Sequence, residues 1–183
     1  IYNRPTMIQI STFNPHDKTA LSFIERIYTE AFPPDERREF ADVVRLLEEK
    51  EAFSILLISN DDTPIGFISF WEWDDFAYIE HFAVDSRCRG AGYGATAITE
   101  FSRQIHKPIV LEVEMPLDSI SQRRIGFYER VGFTLCTRPY IQPPYAPDKK
   151  PLELYLMTYG EIDLSQAFES VVAQIHRQVY GVK

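Results

Sequence analysis

The chain has 183 residues, 45% hydrophobic and 25% charged, with a formal net charge of −8. That length suits one domain with a real core, and the acidic balance excludes nonspecific binding to nucleic acid. No apolar run reaches the roughly 18 residues of a membrane span, and no basic, apolar, small-residue leader precedes Met7. Two cysteines, Cys88 and Cys136, supply neither a disulfide framework nor a metal site, so a reducing cytoplasm is expected. Residues 1–6 are read as lying upstream of a natural start at Met7, or as added residues.

In chain order, residues 7–13 predict a strand and residues 17–31 a helix with Leu21, Ile24, Tyr28 and Ala31 on one face. Phe32-Pro33-Pro34 interrupts it, and Phe40, Val43, Val44 and Leu47 mark a second helix. Residues 54–59 and 64–73 predict strands joined by a turn at Asn60-Asp61-Asp62. A strand over 77–84, a helix over 95–105, a strand over 109–114, a helix over 118–131 and a strand over 133–141 follow. A proline-rich loop, 142–151, leads to a last strand over 152–159. Residues 163–179 predict a helix with Leu164, Phe168, Val171, Val172, Ile175 and Val179 on one face, and Asp163 with Gln166 reads as a capping box. The plan is a domain over 7–159 and a C-terminal helical extension over 160–183.

The fourth strand is irregular. Ile79, Phe82 and Val84 have the character of core residues, but a spacing of three breaks the period of two. One extra residue near Glu80-His81 would return all three to one face. A strand buried on both faces is the alternative.

Between that strand and the next helix lies Arg87-Cys88-Arg89-Gly90-Ala91-Gly92-Tyr93-Gly94. Free N–H groups and the helix dipole favour an anion at such a helix start, and glycine permits close backbone approach. A Walker loop would need a terminal Gly-Lys-Ser/Thr, which is absent. A dinucleotide fingerprint lacks its third glycine, although Glu112 and Glu114 stand where its acidic residue belongs. The spacing that fits is Arg89-x-x-Gly92-x-Gly94, repeated as Arg87-x-x-Gly90-x-Gly92, after the strand end Val84-Asp85-Ser86. A second block, Ile125-Gly126-Phe127-Tyr128-Glu129-Arg130-Val131-Gly132-Phe133, follows one strand later. Together the two blocks resemble the GNAT superfamily of acyl-CoA N-acyltransferases.

The resemblance implies an α/β (α+β) fold: a mixed, mostly antiparallel seven-stranded sheet with helices on both faces, here with an extra C-terminal helix. It implies acetyl-CoA as acyl donor, no metal, and direct attack of a primary amine on the thioester. A small-molecule amine is favoured over a protein N-terminus or lysine. The CoA pyrophosphate is then expected on Arg89, Gly90, Ala91, Gly92, Tyr93, Gly94 and Ala95. Backbone N–H groups of Phe82, Ala83 and Val84 would face the thioester. Ser121 stands where the family often has an Asn bonded to the pantetheine arm. Arg124, with Arg123, would reach the ribose phosphate, unless both are solvated helix charges.

Tyr128 matches the family tyrosine that protonates the leaving thiolate; a core tyrosine is the bland reading. The base lies open between Glu80, Glu112 and a water, and taken singly each carboxylate reads as a solvated strand charge. His81 reads as a hydrogen-bonded side chain and Cys88 as a bystander. The acceptor is expected among Phe32, Glu36, Arg38, Tyr140, Gln142 and Tyr145, unless these are packing staples. Neither nucleic acid nor membrane is an expected partner. The state is monomer or homodimer, depending on whether the apolar face of the last helix meets its own sheet or another subunit. A non-catalytic acyl-CoA sensor is the alternative class.

Overall fold

A computed structural model describes residues 7–183. Seven strands form one sheet: β1 (Ile8–Ser11), β2 (Phe53–Asn60), β3 (Thr63–Glu72), β4 (Ala77–Val84), β5 (Ile109–Glu114), β6 (Thr134–Gln142) and β7 (Leu152–Tyr159). Their order is β1-β2-β3-β4-β5-β7-β6, antiparallel throughout except for the parallel β4–β5 pair. Among the described residues, five α-helices complete the fold: α1 (Lys18–Ala31), α2 (Phe40–Glu49), α3 (Tyr93–Ile105), α4 (Ser119–Arg130) and α5 (Leu164–Gln178). This is the fold class expected from the motifs.

Caps explain most of the shifted boundaries. Asp17 and Asp118 stand just outside α1 and α4 because their side chains accept from the backbone N–H of Thr19 and Ala20, and of Ser121. Helix α3 starts two residues before the apolar pattern does, at Tyr93, with Gly92 as its cap. Asp163 caps α5 through the N–H of Ser165, whereas Gln166 N–H bonds to the Asp163 carbonyl. A helix cap is present, then, but the expected capping box is not its form. Asp61 and Asp62, at φ 46° and 70°, form the tight turn between β2 and β3.

The sheet carries a core on each face. Helices α1, α2 and α5 pack on one, with Ile24, Tyr28, Val43, Phe168 and Ile175 buried against Phe67 and Val110. Helices α3 and α4 pack on the other, with Ile98, Phe101 and Ile125 against Ile68, Ile79 and Leu111. The apolar face of α5 is therefore covered by its own sheet, with Leu164, Phe168, Val171, Ile175 and the following Val179 buried and Val172 half-buried.

Strand β4 bulges where its apolar spacing required it. Ser69 stands opposite His81 and Phe70 opposite Ile79, leaving Glu80 as the extra residue. Ile79, Phe82 and Val84 accordingly all pack on the α3–α4 side, while Tyr78 and Ala83 are buried on the opposite face, so the strand is both bulged and buried on both faces. Pairing of β4 with β5 covers only Ala77–Ile79 against Ile109–Leu111. Past that point the two strands part and open a wedge in the sheet.

Candidate active site

The wedge presents main-chain donors. His81 N–H bonds to Ser69 Oγ at 3.1 Å and Asp85 N–H to the Ile65 carbonyl at 2.7 Å, so the odd-numbered residues face β3. Strand alternation turns the N–H groups of Phe82 and Val84 the other way, into the wedge. Ala83, expected among the donors, directs its N–H to β3 by the same alternation. Glu80 is half-buried although its side chain is only 2% exposed, so it is its main chain that reaches the opening.

A cleft of about 680 Å³ occupies the wedge and takes its walls from both faces of the sheet. On the α3–α4 side it is lined by Arg89, Gly90, Gly92, Tyr93, Gly94 and Ala95. Gly90 and Gly92 have φ of 89° and 76°, which a side chain would make costly. No side chain caps α3, and its first internal bond runs from Thr96 N–H to the Gly92 carbonyl at 3.2 Å. The N–H groups of Tyr93, Gly94 and Ala95 therefore sit ahead of the first helical bond, as a phosphate group requires. Arg123 and Arg124 also line the cleft, Arg124 while paired to Glu114 at 3.4 Å. Ala91 and Ser121 do not line it. Ala91 is exposed, and Ser121 is buried with its hydroxyl donated to Glu114 Oε2 at 2.8 Å.

Tyr128 is buried at the cleft wall, its ring edge-on to Phe127 at 5.2 Å and to Phe133 at 5.4 Å. Burial pushes its phenol up to about 12, so it holds its proton throughout the neutral range. Among the described residues, its hydroxyl has no hydrogen-bond partner.

On the other side of the sheet the cleft is lined by Phe32, Glu36, His81, Gln142 and Tyr145. Arg38 and Tyr140, expected there, stand behind this wall. Arg38 is turned away by Glu80, to which it bonds at 3.0 and 3.2 Å. Trp71 Nε1–H adds a third bond to Glu80 at 2.9 Å. Burial alone would raise the proton affinity of Glu80, but Arg38 and His81 outweigh it and hold the carboxyl well below the usual range. His81 is hydrogen-bonded as expected: its Nε2–H donates to the Glu36 carbonyl at 2.8 Å.

Glu112 is not the solvated charge that its strand position suggested, and neither is Glu80. Ile109, Leu111 and Val113 face the α3–α4 core, so Glu112 points into the opposite one. There Tyr180 Oη donates to its Oε1 at 2.6 Å, and Tyr78 donates to the same oxygen. Burial raises Glu112 to about 7, with the Tyr180 hydrogen bond pulling the other way. Glu36 is also raised to about 7, by burial and then by the facing carboxylate of Glu114.

Residues 21–133, more than half of the chain, match the family model for the Acetyltransferase (GNAT) family. The chain belongs to the GNAT acetyltransferase family. A GNAT-family protein of Bacteroides thetaiotaomicron is 38% identical, covering 96% of this chain and 99% of its own, with a TM-score of 0.92. "Putative acetyltransferase YjbC" of Bacillus subtilis (strain 168) is 31% identical over 108 residues, or 57% of this chain. That match spans only 53% of YjbC's length. A Salmonella typhimurium protein, yncA, solved with acetyl-CoA as its cofactor, shares the fold at a TM-score of 0.57 and 17% identity, over 85% of this chain and 95% of its own.

Within this GNAT frame, the motif-bearing wall was visible in the sequence and the groups behind the opposite wall were not. Glu114 could have been found from its period-two relation to Glu112. Tyr78 lies inside an apolar strand run, and Tyr180 follows α5 with no motif around it, so neither carried a local signal.

Proposed function

We propose that this GNAT acetyltransferase moves an acetyl group from acetyl-CoA to the primary amine of a small molecule, by direct attack on the thioester. The observation that carries the reading is the wedge: one cleft joins a glycine-rich helix start with no side-chain cap, two inward N–H donors, a protonated phenol and a carboxylate of near-neutral proton affinity.

The pyrophosphate rests on the α3 N-terminus with Arg89, and Arg124 with Arg123 faces the ribose phosphate. Donors at Phe82 and Val84 meet the thioester oxygen, where negative charge grows during attack. The amine arrives as an ammonium, and Glu112 takes its proton directly or through a water. Glu112 suits this task better than Glu80, whose charge is committed to Arg38 and Trp71. The free amine bonds to the acyl carbon, the C–S bond breaks, and Tyr128 gives its proton to the departing thiolate. The nitrogen sheds its second proton to solvent as the amide forms, and Tyr128 regains one. Phe32, Gln142 and Tyr145 bound the space left for the acceptor, with Glu36 supplying negative charge.

The test is an amine-library screen with acetyl-CoA, reading free thiol. Amine-dependent release in wild type, reduced in Tyr128→Phe, supports the reading. Acetyl-CoA binding by calorimetry with no thiol release from any amine would favour a non-catalytic sensor.

A further inference from the structure

Glu112 lines the cleft, but what holds it comes from behind. Tyr180 and Tyr78 both donate to Oε1, and their own hydroxyl oxygens lie 3.3 Å apart. Glu112 Oε2 and Tyr140 Oη are both buried without a hydrogen-bond partner. Tyr78, Tyr140 and Tyr180 do not line the cleft. A carboxylate with one oxygen gripped twice and the other free is fixed in orientation, with a single oxygen left to take a proton.

Tyr180 belongs to the segment after α5, well outside the family-matched residues 21–133. That segment is tied to the site. Arg38 Nη2 donates to the Val179 carbonyl at 2.7 Å while holding Glu80 at 3.0 Å. The ring of Tyr180 also packs on Tyr145 at 5.1 Å. A continuous polar path therefore runs from the β4 bulge at Glu80, through Arg38 and the backbone at Val179, to Tyr180 and Glu112.

We infer that Tyr180 is a positioning residue for acetyl transfer: from behind the cleft its phenol orients the Glu112 carboxylate and sets how readily it accepts the amine's proton. This rests on Glu112 being the base. The groups facing Glu112 are Tyr78 from β4, Tyr140 from β6, Tyr145 from the β6–β7 loop, Tyr180, and Glu36 from the turn before α2. Tyr78 and Tyr180 favour the carboxylate form by hydrogen bonding, and Glu36 opposes it by charge.

Tyr180→Phe keeps the ring against Tyr145 and deletes one donor. Two readouts are followed against pH: turnover with the best amine from the screen, and the ¹³C carboxyl resonance of Glu112, assigned by its loss in Glu112→Gln. Tyr180→Phe should move the Glu112 midpoint and the acid limb of the rate profile up together by about one unit, with turnover recovering above the limb and the acetyl-CoA KM unchanged. Tyr78→Phe, which removes the other donor, should shift both in the same direction and serves as a second variant. Unmoved midpoints in both Phe variants, with the acid limb lost in Glu112→Gln, would overturn the role of Tyr180 and leave Glu112 as base. An acid limb that survives in Glu112→Gln would overturn both.

Discussion

Arg38 clamps Glu80 at two points, Nε to Oε2 at 3.2 Å and Nη2 to Oε1 at 3.0 Å, with the two side chains only 13% and 2% exposed. Breaking such a pair leaves an uncompensated charge in the core. Arg38→Met should cost about 3–5 kcal/mol in urea unfolding, and adding Glu80→Gln should recover part of it. The folded-state proton affinity of Glu80 is lowered, so its contribution is present above the ordinary value of 4.5 and is lost on acidification below it. A loss in Arg38→Met below about 1 kcal/mol would mean that water reaches the pair.

Tyr128→Phe preserves the edge-on packing against Phe127 and Phe133 and removes only the proton. Turnover should fall ~10-fold or more with the acetyl-CoA KM nearly unchanged, the pattern of an interaction made in the transition state. Steady-state kinetics at saturating amine checks this, and wild-type turnover would reduce Tyr128 to packing.

Glu112 and Glu36 hold protons more tightly in the folded chain, near 7 against an ordinary 4.5. Their contribution to stability is therefore full below 4.5 and is lost as pH rises through 7. Glu112→Gln should flatten that decline while cutting turnover, and Glu36→Gln should remove the remainder. Thermal unfolding from pH 4 to pH 9 is the measurement. A Glu112→Gln protein with the wild-type slope would show that water reaches the carboxyl.

Gly92 caps α3 at φ 76°, and a Cβ placed there meets nothing within 4 Å. Gly92→Asp therefore brings backbone strain and a misplaced negative charge without a clash. Acetyl-CoA affinity should drop at least ~10-fold by calorimetry, with the fold retained by circular dichroism. Unchanged affinity would move the pyrophosphate elsewhere.

The features legible in the sequence were those written in neighbouring residues. The Arg-x-x-Gly-x-Gly turn, the spacing break at Glu80 and the apolar stripe of α5 each reflect a local period and a departure from it. Burial of the carboxylates was not of that kind. Alternation says which face Glu112 takes, but whether that face is wet depends on α1, α2 and α5 covering it. Tyr180 meets Glu112 from 68 positions away, and Arg38 meets Glu80 from 42. No window along the chain contains both members of either pair. Ser121 misled for a different reason: Glu114, only seven residues back at the end of β5, takes its hydroxyl.

Where β4 and β5 part, the cleft takes its walls from both faces of the sheet. Under the proposed function, a donor held on the α3–α4 side and an acceptor approaching past Phe32 and Tyr145 would not obstruct one another. Direct attack needs both substrates bound together, so double-reciprocal plots should intersect rather than run parallel, and product inhibition should show no obligatory order of addition. A molecule that joins donor and acceptor covalently meets a different constraint. It must be threaded through the opening rather than laid upon it, so such an inhibitor should associate slowly and, once seated, leave more slowly still.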